Sequence, residues 1–274
     1  MSFSDSLRVI HPNAKIGKNV TISPFVVIEE DVVIGDNTWI GPNVTIFNGA
    51  RIGERCRIFP GASISAIPQD LKFKGENTTL EIGNGVTVRE FCTLNRGTSA
   101  EGRTVIGDNC LLMAYVHVAH DSVIGRHCVL ANNVTLAGHI TIGDYATLGG
   151  MVAVHQFVRI GDQVMIGGGS LVGKDVPPYV TAARSPLSYA GVNSIGLERR
   201  KFTHEEIHHI EDIYRVLFVR GHSVRRALRI IEEEIAPSVH REYILNFIYN
   251  AKRGLMKGFR SLNGKTRVAE PVLE

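Results

Sequence analysis

The chain counts in sixes. Aliphatic residues recur at Ile10, Ile16, Ile22, Ile28, Ile34, Ile40, Ile46, Ile52, Ile58 and Ile64, and again at Ile82, Val88 and Leu94. They run on from Ile106 through Leu112, Val118, Ile124, Leu130, Leu136, Ile142, Leu148, Val154, Ile160 and Ile166 to Val172, and the phase survives both gaps. A period of six belongs neither to a helix nor to a simple strand, so it marks an architectural repeat. Hexapeptides of this kind predict a parallel β-helix. Each forms one flat face, and three close a coil of roughly eighteen residues. One aliphatic side chain per face points into a narrow prism whose coils stack at strand spacing. Turn formers mark the corners, as in Ile16-Gly17-Lys18-Asn19, Ile34-Gly35-Asp36-Asn37 and Ile106-Gly107-Asp108-Asn109.

Two stretches break the count, 65–79 and 95–103. Loops thrown out of a rigid repeat are where function concentrates. The kept phase predicts that each break replaces whole faces. The β-helix is expected from about residue 10, after a short lead-in over 1–9, to about 176. Beyond Asp175-Val-Pro-Pro-Tyr-Val180 and a link through Gly191-Val192-Asn193, the periodicity turns helical. Thr203 with Glu206 makes a capping box, Ser223 opens a second helix, and Pro237-Ser238 precedes a third. The tail from about 260 reads as loose. The expected division is a hexapeptide β-helix over 1–190 and an α-helical C-terminal domain over 191–274. The helices can cover one open end of the stack. A prism this thin buries little core per residue, so side-by-side oligomerisation is expected.

Composition excludes several classes. A net charge of +3 over 274 residues gives no reason to expect nucleic acid as a partner. The start, Met-Ser-Phe-Ser-Asp-Ser-Leu, lacks a leader pattern, and no apolar run approaches the about 20 residues of a membrane span. A cytoplasmic protein without membrane insertion is expected. The four cysteines, Cys56, Cys92, Cys110 and Cys128, each fall two residues before an aliphatic landmark. The equal spacing of the last three predicts a stacked ladder of small residues on one face. There is no CxxC pair, so no metal site is expected. The run Gly168 to Asp175 resembles a phosphate-binding loop, but Asp175 stands where Ser or Thr is required, inside the hexapeptide register.

Five of the eleven histidines lie between 117 and 155: His117, His120, His127, His139 and His155. Coil arithmetic puts Gly138 one coil above His120 and Gln156 one coil above Gly138, with Asp121 and His139 likewise stacked. The ridge His120, Asp121, Gly138, His139, His155 and Gln156 holds the parts for acyl transfer. An imidazole can take a proton from an attacking hydroxyl. A carboxylate can fix its tautomer, and a glycine lets its N–H approach a developing oxyanion. Polar corners alone explain His127, but not six such residues in one patch.

The segments His117-Val-Ala-His120-Asp121, Leu130-Ala-Asn-Asn-Val-Thr-Leu-Ala-Gly-His139 and Gly149-Gly-Met-Val-Ala-Val-His155-Gln156-Phe157 resemble the UDP-N-acetylglucosamine acyltransferase family of the hexapeptide acyltransferases. So do the loop Gln69-Asp70-Leu71-Lys72-Phe73 and the segments around Asn193 and Arg199-Arg200. The resemblance covers nearly the whole chain. It implies a mainly β protein, a left-handed parallel β-helix followed by a small helical domain, although crossovers between parallel strands are usually right-handed. It implies a homotrimer with sites in the clefts between prisms. The reaction it implies moves a 3-hydroxyacyl chain from acyl carrier protein to the glucosamine 3-hydroxyl of UDP-N-acetylglucosamine, opening lipid A synthesis. No cofactor is implied beyond the phosphopantetheine that carries the donor. By matching positions, His120 is the general base, Asp121 its partner and Gly138 the oxyanion donor. Gln69, Asp70, Lys72, His117, His139, His155 and Gln156 bind substrate. Asn193, Arg199 and Arg200 reach the nucleotide or donor phosphates, and Gly168 measures acyl length. The rival readings are a close relative, either an N-acyltransferase of the same pathway or an enzyme preferring an amino-sugar nucleotide, then a zinc carbonic anhydrase on the same prism, and a structural β-helix.

Overall fold

The computed structural model describes residues 7–258. Its β part is a prism of three parallel sheets, with nine strands on face A, eight on face B and ten on face C. Each hexapeptide contributes one short strand, and the chain visits A, B and C in turn. Strands of one face pair with the coil above, as in Val129↔Thr147 and Leu130↔Leu148.

Two inward positions per strand explain the pattern. The aliphatic landmarks from Ile28 onward are almost wholly buried, and so are the smaller residues two places earlier, such as Val26, Cys56, Val116, Cys128, Ala146 and Val164. Residues two apart on a strand share a face, so both line the prism. Burying one such aliphatic side chain contributes about 1.5–3 kcal/mol. The residue three before a landmark turns the corner with positive φ: Asn19, Asn37 and Asn109, but also Asp121, His139 and Phe157. Asn, Asp and His tolerate that region best among residues with a side chain.

Two expectations fail here for one reason. The strand Ser63–Ala66 on face A is followed by Thr79–Ile82 on face B, and Thr93–Asn95 on A by Arg103–Ile106 on B. No face is missing. The breaks at 65–79 and 95–103 add residues at one corner rather than replace faces. Consequently Cys92 precedes a face-A strand, whereas Cys56, Cys110 and Cys128 precede face-C strands. The column on face C is Cys56, Val86, Cys110 and Cys128, and Cys92 is not part of it.

The last turn of face C is closed by the strand Val180–Ala183 and its antiparallel partner Ser188–Val192. That second strand runs across the boundary expected at 190. Four helices follow: α1 (Ser194–Arg199), α2 (His204–Tyr214), α3 (Val224–Glu234) and α4 (Val239–Tyr249). The capping box of Thr203 and Glu206 and the Ser223 and Ser238 caps are all formed. Helix α1 and the π-helical turn Arg215–Val219 were not expected. The helices cap the C-terminal end of the prism. Tyr214, fully buried, donates its hydroxyl to Pro178 O at 2.6 Å, and Arg159 lies over the Phe247 ring. At the other end Val9, Ile10 and Ile16 stay exposed. The lead-in before residue 7 and the tail from 260 lie outside the described residues. Among the described residues no helix is long and apolar enough to cross a membrane.

Candidate active site

One edge of the prism, where face A turns into face B, collects most of the candidates. Three successive coils bring Ala119-His120-Asp121, Ala137-Gly138-His139 and His155-Gln156-Phe157 to it, in the register set by His117↔Thr135 and Thr135↔Ala153. Both added loops leave from the same edge lower down, because their face-A strands pair directly, Ser63↔Thr93 and Leu94↔Val118.

Asp121 occupies a left-handed corner at φ 58° with its side chain fully out of solvent. Every bond its carboxylate makes is an acceptance. Oδ1 takes the Thr98 N–H at 2.9 Å, while Oδ2 takes the Thr98 hydroxyl at 2.6 Å and His120 Nδ1 at 2.8 Å. The Asp121 N–H donates to Thr104 Oγ1. Burial alone raises the carboxyl, but the Thr98 hydroxyl, His120, the Thr98 N–H and the nearby His139 outweigh it and hold the group below its ordinary value. The ionised carboxylate therefore favours the folded state above the unfolded pKa of about 3.9, and that contribution is lost as pH falls through the lower folded value. Since an ionised carboxylate can only accept, His120 Nδ1 carries a proton, and in the neutral ring the lone pair falls to Nε2.

The imidazole of His120 lies against Gly138. A Cβ there would stand 2.7 Å from His120 Cε1 and 2.8 Å from Nε2. The glycine is thus required by the ring as well as by any ligand, a reason the sequence did not reveal. The Gly138 N–H meets no acceptor among the described residues. His139 stands edge-on to His120 at 5.1 Å, with Nε2 3.7 Å from Asp121 Oδ2, and its other flank stacks on Phe157 at 4.6 Å.

Other expected residues are nearby but not joined to this pair. His155 and Gln156 are exposed one coil up. His117 faces outward from face A, 2.7 Å from Thr93 Oγ1, and burial lowers its pKa more than Thr93 raises it. In the loop, Asp70 Oδ1 accepts the Lys72 N–H, Gln69 and Lys72 are exposed, and Arg96 anchors the segment by lying over Phe73.

Four expected residues lie elsewhere in this chain. Gly168 sits on the C/A corner against Gly150. Asn193 caps α1 and donates to Gln163 O. Arg200 stacks over Tyr145 on the B/C corner, and Arg199 is exposed beside it. A single chain does not bring them to the A/B ridge. Conversely, sequence reasoning missed Thr98, Thr104 and Phe157.

His120, Asp121 and His139 also offer ligand atoms within 4.8 Å of one another. A cation there would have to take an Asp121 oxygen that already accepts hydrogen bonds. The arrangement suits proton transfer from a substrate to His120 Nε2, next to an unclaimed N–H.

Comparison with known proteins gives the family. Residues 31–66 and 103–138 match the model of bacterial transferase hexapeptides, which places the chain among the hexapeptide-repeat transferases. Residues 175–256 match the second domain of UDP-N-acetylglucosamine O-acyltransferase. An acyl-[acyl-carrier-protein]–UDP-N-acetylglucosamine O-acyltransferase of Chlorobaculum parvum is 56% identical over 264 residues, 95% of this chain and all of that one. One from Sulfurihydrogenibium is 54% identical over 90% of this chain and 92% of its own. The crystal structure of a UDP-N-acetylglucosamine acyltransferase from Bacteroides fragilis superposes with a TM-score of 0.91 at 50% identity, covering 93% of this chain and 100% of that one. The chain belongs to the UDP-N-acetylglucosamine acyltransferase family.

Proposed function

We propose that this enzyme transfers a 3-hydroxyacyl chain from acyl carrier protein to the glucosamine 3-hydroxyl of UDP-N-acetylglucosamine, the first step of lipid A biosynthesis. The observation that carries the mechanism is the Asp121–His120 pair resting on Gly138. His120 Nε2 takes the proton of the sugar hydroxyl as its oxygen attacks the thioester carbonyl. The Gly138 N–H faces the oxyanion of the tetrahedral intermediate. Collapse expels the phosphopantetheine thiolate, which takes the proton back from His120. Asp121 stays ionised and stabilises the transient imidazolium. Mass spectrometry of products from UDP-N-acetylglucosamine and a series of 3-hydroxyacyl carrier proteins tests the reading. An N-linked product, or none, would overturn it.

The protein works in the cytoplasm as a homotrimer in this proposal. The spread of Gly168, Asn193 and Arg200 over other corners supports a site shared between chains. So does the exposed C/A corner, where Phe91 and Tyr115 stack at 5.3 Å near an exposed Met151. Gly168, without a side chain, leaves room for long donor chains over short ones.

No metal is required. Chelation by EDTA should leave turnover within about twofold, because a positioned base supplies the activation that a metal-bound hydroxide would. Loss of activity restored by one divalent ion would favour the zinc alternative.

Acyl carrier protein, an acidic partner, docks on the helical domain, where Arg220, Arg225, Arg226 and Arg229 are exposed on and just before α3 with Lys201 beside α1. Reversing charge at Arg225 and Arg226 should raise the donor KM about threefold to tenfold at low ionic strength and flatten its salt dependence. An unchanged donor KM would remove this surface from the proposal.

A further inference from the structure

We infer that Thr98 is a positioning residue for the reaction, the group that orients His120 by holding Asp121. The inference rests on the His120–Asp121 reading above. Thr98 lies in the loop 95–103, which the repeat itself does not need. It is buried and reaches both oxygens of one carboxylate from a single residue, N–H to Oδ1 at 2.9 Å and hydroxyl to Oδ2 at 2.6 Å. The loop is built for that approach. Gly97 N–H donates to Thr79 O and Gly102 N–H to Thr98 O. A Cβ on Gly97 would stand 2.3 Å from the Arg103 backbone nitrogen, so only glycine lets the two ends of the loop close beneath Thr98.

Two consequences follow from the donor count. With the peptide and hydroxyl of Thr98 both donating, the carboxylate cannot rotate, and the remaining direction on Oδ2 points at His120 Nδ1. That fixes the imidazole tautomer with Nε2 free toward Gly138. The hydroxyl also draws off part of the carboxylate's charge, which limits how strongly Asp121 holds the imidazolium once the proton has been taken. The other titratable group facing Asp121 is His139, at 3.7 Å from Oδ2, and it does not reach Oδ1 as a donor in the described hydrogen bonds.

The test compares Thr98→Val, Thr98→Ser and His120→Ala in the full-length enzyme. Thr98→Val should lower kcat roughly tenfold or more with both KM values within about twofold, since the lost bond is to a charged group and touches no substrate. The acid limb of its kcat/KM profile should move to higher pH, because a carboxylate with one donor fewer binds protons, and the imidazolium, more tightly. Thr98→Ser should restore both. In [15N]histidine spectra above pH 8, the parent should show His120 as the Nδ1–H tautomer alone, and Thr98→Val a mixture. Should Thr98→Val not fold, Thr98→Ala is read by the same spectra. If His120→Ala is dead but Thr98→Val keeps parental kcat, pH profile and tautomer, Thr98 is only structural and the inference fails. If His120→Ala stays active, the histidine-base reading fails first and takes this one with it.

Discussion

Replacing His120 by alanine should cost about 10²–10⁴ in kcat, the usual yield of a positioned general base. Binding should survive. His120 is a corner residue, and neither landmark of its coil, Val118 or Ile124, is touched, so the thermal midpoint should stay within a few degrees. Removing the ring leaves Asp121 with its two Thr98 bonds, so the buried carboxylate is not orphaned. That separation of activity from stability is the informative part. Activity within tenfold of the parent would mean that another group takes the proton, and His139 would be the first to examine because it stands 5.1 Å from His120.

Gly138→Ala is the smaller change in atoms and a comparable one in rate. One methyl would be placed 2.7 Å from His120 Cε1. The backbone at 138 is not in the left-handed region, so alanine meets no conformational penalty there. The whole effect falls on the imidazole, which must swing away from Gly138 and stretch its bond to Asp121. A displacement on the scale of an ångström costs about 10²-fold in rate. The loss should appear in kcat with little change in the melting temperature, and a crystal structure of the variant should show His120 rotated. A Gly138→Ala enzyme within threefold of parental kcat would show that the ring does not rest on Gly138 during turnover.

The architecture was legible because the core demands it. One inward aliphatic per face leaves a period that no helix or sandwich produces, and eighteen-residue addition then placed Gly138 over His120 and His139 over Asp121 correctly. The same arithmetic misled wherever the chain leaves the prism. Ile64 to Ile82 and Leu94 to Ile106 keep phase while adding loop, so Cys92 was assigned to the wrong column and the breaks to the wrong role. Thr98 escaped for that reason too. It reaches Asp121 from inside an added loop, and no count from the repeat arrives at it. Gly138 was picked for its N–H, whereas the clash with His120 depends on a rotamer that only coordinates supply. The short helix α1 has a single turn and a half of sequence, too little for periodicity to register, though its Asn193 cap was in plain view.

The loops at 65–79 and 95–103 also define how such a site can change over evolutionary time. An extra six residues looped out at a corner leave every later coil where it was, so the lower A/B edge is free to acquire new groups. Six residues added within the winding itself, between Asp121 and Gly138, would keep every aliphatic buried and yet carry Gly138 round to a neighbouring edge, away from His120. The core cannot detect that error, because its inward pattern is the same on all three faces. Selection on this stretch must therefore act on spacing through the groups the edges carry rather than through the core. Lineages of this fold should tolerate length variation in the two loops and almost none between 121 and 138, since even a whole added turn would set one more coil, about 4.8 Å, between His120 and Gly138.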